Sequence, residues 1–134
     1  MILAQSKHAN PNYLAKVVDI KEFHAHPDPE VLRLKCCVVD GYNIIVSISE
    51  EPGLFVYFPT SCTINPHLLT YLNLYRHKEK NANPELSGMF EDNGRVKAIK
   101  LRGALSEGFM IPFQDLNNFL ISTRPSLRGR SRRC

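Results

Sequence analysis

What this 134-residue chain lacks narrows its possible functions first. Its cysteines, Cys36, Cys37, Cys62 and Cys134, include no C-x-x-C pair. Adjacent strand residues point to opposite faces, so Cys36 and Cys37 cannot readily chelate one metal, and reduced structural thiols are expected. There is no secretory apolar core and no apolar run near membrane-spanning length, which predicts a cytoplasmic protein that does not enter a membrane. No internal repeat is visible. No Ser, His and Asp arrangement can be inferred from residue order, and Glu107 and Asp115 form no recognisable acid pair. His8, His67 and His77 show no ligand spacing. His24 and His26, two apart, have no evident third ligand, and Pro27 directly after them favours a turn over a metal site.

Acidic residues are missing from one region only. The last eleven residues carry Arg124, Arg128, Arg130, Arg132 and Arg133 and no Asp or Glu, whereas residues 1–123 hold twelve Lys and Arg against thirteen acids. The formal charge of +4 is therefore the charge of a tail. The expected organisation is an N-terminal arm over 1–12, one barrel-like domain over 13–123, and a basic, flexible tail over 124–134.

Apolar periodicity within the domain reads mainly as short strands. Leu14 to Phe23 is rich in β-branched residues and stops at the double-proline segment His24-Ala-His-Pro-Asp-Pro. Val31 to Asp40 alternates, with Leu32, Leu34, Cys36 and Val38 expected inward and Arg33, Lys35 and Cys37 outward. Gly41 turns the chain into Asn43 to Ser49, with Ile44, Val46 and Ile48 inward. Leu54 to Phe58 is a strand ended by Pro59. The period then changes, and Leu68, Leu69, Leu72 and Tyr75 predict a short helix capped by Asn65 with Pro66 at its first position. Residues 76–88 read as an exposed loop, Phe109 to Pro112 as a brief strand, and Gln114 to Ser122 as a second short helix.

The segment Asn93 to Pro112, NGRVKAIKLRGALSEGFMIP, holds the most chemistry. Asn93-Gly94 predicts a two-residue turn pairing Met89 to Asp92 with Arg95 to Lys97. Strict alternation would place two of the cations Arg95, Lys97, Lys100 and Arg102 on each face. A bulge near Ala98-Ile99 would instead send Val96, Ala98, Ile99 and Leu101 inward and all four cations outward. Gly103 and Gly108 bracket a sharp corner, and Ser106 there can bond the turn or a phosphate. Cations on one strand suit a nucleic-acid backbone, Arg33 and Lys35 extend the strip, and Tyr42, Tyr57 and Phe109 are candidates for stacking on bases. Five or so strands with one or two short helices predict a mainly β fold, a small five-stranded OB-type barrel.

HPDPEVLRL, VDGYNIIV, GLFVYFP and GRVKAIKLRGALSEGFMIP, in that order, resemble the N-terminal OB module of ATP-dependent RNA ligases that carry one ahead of an adenylating domain. More distantly, HPDPEVL and LRGALSEGFMI resemble the tRNA-binding OB modules of aminoacyl-tRNA synthetases. The resemblance implies RNA or nicked duplex ends as partners. ATP and Mg are implied only for the adenylating domain, which such ligases join to the module in cis and which could also act in trans. Ligases of this type adenylate a lysine in a Lys-x-Asp-Gly motif, and this chain has none. Lys100-Leu-Arg-Gly is the nearest string, with Arg in place of Asp. A domain of about 200 residues would have no room beside the module, so the accessory module alone is expected, with no catalytic residue and no metal ligand of its own. The alternatives from other classes are a divergent nucleotidyltransferase using Lys100 and a barrel that docks on protein through residues 76–88 or the tail.

Overall fold

The computed structural model describes residues 4–5 and 15–123 of the chain; the expected tail, and the expected arm apart from residues 4–5, lie outside the described residues. In chain order the strands are β1 (Ala4–Gln5), β2 (Lys16–Ile20), β3 (His24–Ala25), β4 (Leu34–Val39), β5 (Tyr42–Ser47), β6 (Gly53–Phe58), β7 (Thr63–Ile64), β8 (Ala98–Leu101), β9 (Ala104–Glu107) and β10 (Phe109–Pro112). Helix α1 (Pro66–Tyr71) follows β7 and α2 (Phe113–Ser122) follows β10. The fold is mainly β with two α-helices. Its ladders form the sheets β10-β6-β2, β3-β4-β5, β8-β9 and β1-β7, which are not closed into a barrel. Between β5 and β9 the junction is made by side chains: Ile45 N–H donates to Ser106 Oγ at 3.0 Å and Asn43 Nδ2 donates to the Leu105 carbonyl at 2.9 Å.

Apolar sequence explains the stacking of these sheets. Strand β6, Gly-Leu-Phe-Val-Tyr-Phe, sends Phe55 and Tyr57 to one side and Val56 and Phe58 to the other, and all four are buried. Val56 and Phe58 join Leu68, Leu69, Leu116 and Phe119 in a core beneath the helices. Phe55 and Tyr57 join Ile20, Cys37, Val39, Ile44 and Met110 between the two three-stranded sheets. A third, much smaller core of Cys36, Ile45 and Ala104 lies under the β8-β9 hairpin, with Leu34 and Leu101 beside it. Each large apolar side chain so buried contributes roughly 1.5–3 kcal/mol, so stability is concentrated around β6.

Local signals place most elements. Asn65 caps α1, its Oδ1 accepting from His67 N–H at 2.8 Å, and Pro66 fills a position whose N–H needs no partner. Asp40 and Gly41, both at positive φ, make the tight β4-β5 turn. On β4 the expected faces are corrected. Cys37 and Val39 enter the main core, while Leu32 and Val38 stay 77% and 60% exposed, because the hairpin covers only the centre of the opposite face. Ile48 is likewise exposed.

Two further expectations change. The chain does not turn away at His24, because His24 and Ala25 pair with Cys36 and Lys35 as β3. The expected pairing of residues 89–92 with 95–97 does not form. Gly94 N–H closes a turn onto the Glu91 carbonyl, Phe90 bridges Tyr75 in parallel, and Arg95 bridges Thr63. Asn93 instead accepts Arg95 N–H on its side chain, which ends the turn before a two-residue hairpin can start. The hairpin is β8-β9, and its central residues Arg102 and Gly103 have φ of 54° and 87°.

Candidate nucleic-acid interface

The basic segment changes phase once, as the charge pattern requires, without the predicted inward Ala98. Val96 is buried, Lys97 and Ala98 both face solvent, and Ile99 and Leu101 turn inward. The ladder is interrupted at Val96-Lys97, between the Arg95 bridge and β8, and that interruption shifts the register. Arg95, Lys97, Lys100 and Arg102 are consequently all exposed. Among the described residues none of the four has a carboxylate within ion-pair distance. Lys16, Lys21, Arg76 and Lys80, by contrast, pair with Asp40, Asp19, Glu91 and Asp92.

The hairpin is held in place by buried polar groups. His26 is buried, its Nδ1 accepting from Asp28 N–H at 3.0 Å while Nε2–H donates to the Leu101 carbonyl at 2.9 Å. His26 thus fastens the base of the Arg102-Gly103 turn, while Ser106 fastens β9 to β5. His24 is exposed, so the two histidines do not converge, and among the described residues no three His, Cys, Asp or Glu side chains could hold one metal ion.

The other residues singled out from the sequence are dispersed. Ser106 is 3% exposed and occupied by Ile45, so it is a strand fastener and reaches no phosphate. Tyr57 is 2% exposed, with its Oη donating to the Glu107 carbonyl at 3.1 Å. Burial, then the charge of Asp40, pushes its phenol up to about 12. A ring so enclosed cannot stack on a base. Lys35 is half-buried, its Nζ donating to the Glu50 carbonyl and lying 4.5 Å from the Phe23 ring centroid, a structural cation. Arg33 is exposed, yet it lies at the opposite end of the β4-β5 pair from Tyr42, about 20 Å away at ~3.3 Å per residue. Tyr42 is 49% exposed, and its neighbour Asn43 reaches Leu105, the cross-strand partner of Lys100. Adjacent strand residues face opposite ways, so Tyr42 projects on the side of Ile44 and Tyr57, away from the hairpin, and neither Tyr42 nor Arg33 joins the hairpin cations.

Phe109 is half-buried and fixed edge-on to Phe90, with centroids 4.9 Å apart. The two rings, with Met89 and Ile99, line a cleft of about 100 Å³ whose rim carries Arg76, Arg95, Lys97 and Glu91. Sequence reasoning missed Arg76, Met89 and Phe90. They come from a segment read as loop and from a hairpin that does not form, and no local periodicity links them to Phe109. A second, larger groove of about 430 Å³ includes Arg33 together with Glu50 and Asp115. Burial raises both carboxyl pKa values, and Asp115 raises that of Glu50 further. Two acids make that groove the poorer place for phosphate. Lys100 lines neither cavity.

The thiols are chemically quiet. Burial raises Cys36 and pushes Cys37 and Cys62 up to about 11, which keeps them protonated near neutral pH. Cys134 lies outside the described residues. No described helix is long and apolar enough to cross a membrane.

No protein-family model matches the sequence, and no curated protein matches it. Among solved structures the chain is similar to a mutant RNA ligase of Naegleria gruberi with ATP and Mn, at 24% identity and a TM-score of 0.52 over 79% of this chain and 30% of that one. It is similar to the same organism's RNA ligase with PPi at 23% identity and a TM-score of 0.52, over 84% and 31%. An apo mutant of that ligase matches at 21% identity and a TM-score of 0.52, over 84% and 31%. The chain thus spans about 30% of the length of the ligases it matches, and at these identities the likeness is one of fold.

Proposed function

We propose that this chain is an OB-type nucleic-acid-binding module that serves an RNA ligase, holding RNA or nicked duplex ends for an adenylating domain supplied in cis or in trans. One observation carries the reading: the four cations from Arg95 to Arg102 lie within eight residues, all exposed and free of carboxylates among the described residues, whereas Lys16, Lys21, Arg76 and Lys80 are ion-paired. Unpaired cations on a fixed strand neutralise phosphates and release counterions at little conformational cost. The likeness to RNA ligase structures supports the choice of substrate. The OB reading draws on two bent segments, residues 16–25 and 104–112, each of which borders both three-stranded sheets, as corner strands of a small barrel do. ATP and Mg belong to the adenylating domain in this scheme.

The proposed interface comprises Arg95, Lys97, Lys100 and Arg102, with Phe109 beside Arg95 and Lys97. Replacing Lys97→Glu and Lys100→Glu together is expected to weaken RNA binding more than tenfold. The log-log salt slope should fall by roughly 0.7 for each phosphate of a single strand that is no longer neutralised. Thermal stability should stay the same, since neither side chain makes a hydrogen bond or ion pair among the described residues. Unchanged affinity and salt slope, measured by fluorescence anisotropy across a salt series, would refute the assignment.

A further inference from the structure

We infer that the cleft beside the Phe90–Phe109 ring pair is a slot for a single unpaired nucleobase, which makes the module selective for single-stranded over fully paired nucleic acid. This rests on the nucleic-acid reading above and adds to it a base-binding slot beside Arg95 and Lys97. Size argues first. At about 100 Å³ the cleft is well below the ~300–1,000 Å³ of sites that enclose a drug-sized ligand or cofactor, so only one flat group fits, with the rest of the molecule outside. Its lining argues next. Met89, Ile99 and Phe109 present apolar surface, and edge-on contact with the buried Phe90 holds the Phe109 ring fixed before any ligand arrives. A base would meet no cost of ordering these walls.

Polar chemistry around the slot suits a base and its flanking phosphates. Arg95 and Lys97 stand at the rim without carboxylate partners among the described residues, and Arg76 is tethered to Glu91 at 3.2 Å. The main-chain N–H and C=O of Met89 make no hydrogen bond among the described residues, so that wall offers a donor and an acceptor to the edge of a base. A base inside a duplex cannot enter, because its edge is paired and both its faces are stacked. A strand end, a gap or an unpaired overhang can present one.

Three probes of equal phosphate count test this with the full chain: a single-stranded oligouridylate, a fully abasic oligomer of the same length, and a blunt duplex. The intact single strand is expected to bind on the order of tenfold more tightly than the abasic strand, the usual effect of one stacked base. The duplex should match the abasic strand. Met89→Glu places a carboxylate at the mouth of the slot, at a side chain already 40% exposed, and should erase the difference between intact and abasic strands. Lys100→Glu should weaken all three probes alike. Equal binding of intact and abasic strands would overturn the slot and leave the basic strand standing, as would a base dependence that survives Met89→Glu. If no probe binds, the nucleic-acid reading fails and the slot fails with it.

Discussion

Strands β6 and β8 are separated in the chain by β7, α1 and residues 72–97, and they differ in what holds them. Strand β6 is apolar along its length, is bordered on both sides by ladders, and buries residues on both faces in two large cores. Strand β8, Ala-Ile-Lys-Leu with Lys97 before it and Arg102 after it, has one ladder partner and rests on three buried side chains. The difference teaches that buried apolar area and exposed charge are kept on separate strands. Nearly all the buried area belongs to β6 and its neighbours, so the hairpin is free to spend its outward face on charge. Hydrogen bonds from His26 and Ser106, in place of bulk packing, keep that face in position.

The sharpest way to break this contrast is to empty one core. Phe58→Ala removes a side chain that is fully buried beside the helices, and is expected to cost about 3–5 kcal/mol. Denaturant unfolding should remain a single transition with a lower midpoint. His26→Ala should do something different, because it strands the Leu101 carbonyl and Asp28 N–H and acts on the hairpin. A loss of roughly 1–3 kcal/mol is expected, visible as faster amide exchange across residues 98–107 while β6 amides keep their protection. Equal acceleration in both strands would mean that the hairpin is no separate unit.

The smallest effect concerns Glu50. Burial and the nearby Asp115 raise its folded-state pKa, so the folded protein holds the proton more tightly than the unfolded chain does. The ionised form therefore costs stability at neutral pH, and this cost disappears as pH falls through the folded pKa and then the ordinary carboxylate range. Glu50→Gln should raise the melting temperature near pH 7 by at most a few degrees and converge with the parent protein in acid. A melting curve shifted equally at both pH values would assign the gain to packing.

Much of the architecture was legible wherever a residue acts through its own backbone. Asn65-Pro66 marked the start of α1, Pro59 the end of β6, and Gly41 a turn. Outward projection of all four cations was legible too, because no buried face tolerates them. What local pattern could not reveal was which strand meets which. Asn93-Gly94 carries hairpin chemistry, yet Thr63 claimed the following residue and Asn93 bonded its own loop. Cys36 and Cys37 look like one inward and one outward residue, and both are buried, since the covering hairpin arrives from more than sixty residues away. The candidate site divided in the same way. The exposed cations were readable, whereas the cleft needed Arg76, Phe90 and Phe109 to converge from three separate segments.

A strand buried on both faces carries no polarity to tell its register. Sliding β6 by one residue would exchange Phe55 and Tyr57 for Val56 and Phe58, leaving every side chain in oil. The only polar side-chain atom on the strand is Tyr57 Oη, which meets the Glu107 carbonyl, and the ring occupies the space that a Cβ on Gly108 would need, 2.5 Å from its position. Tyr57 and Gly108 thus work as key and keyway, indexing an otherwise uninformative strand against β10, and through β10 fixing where the hairpin begins.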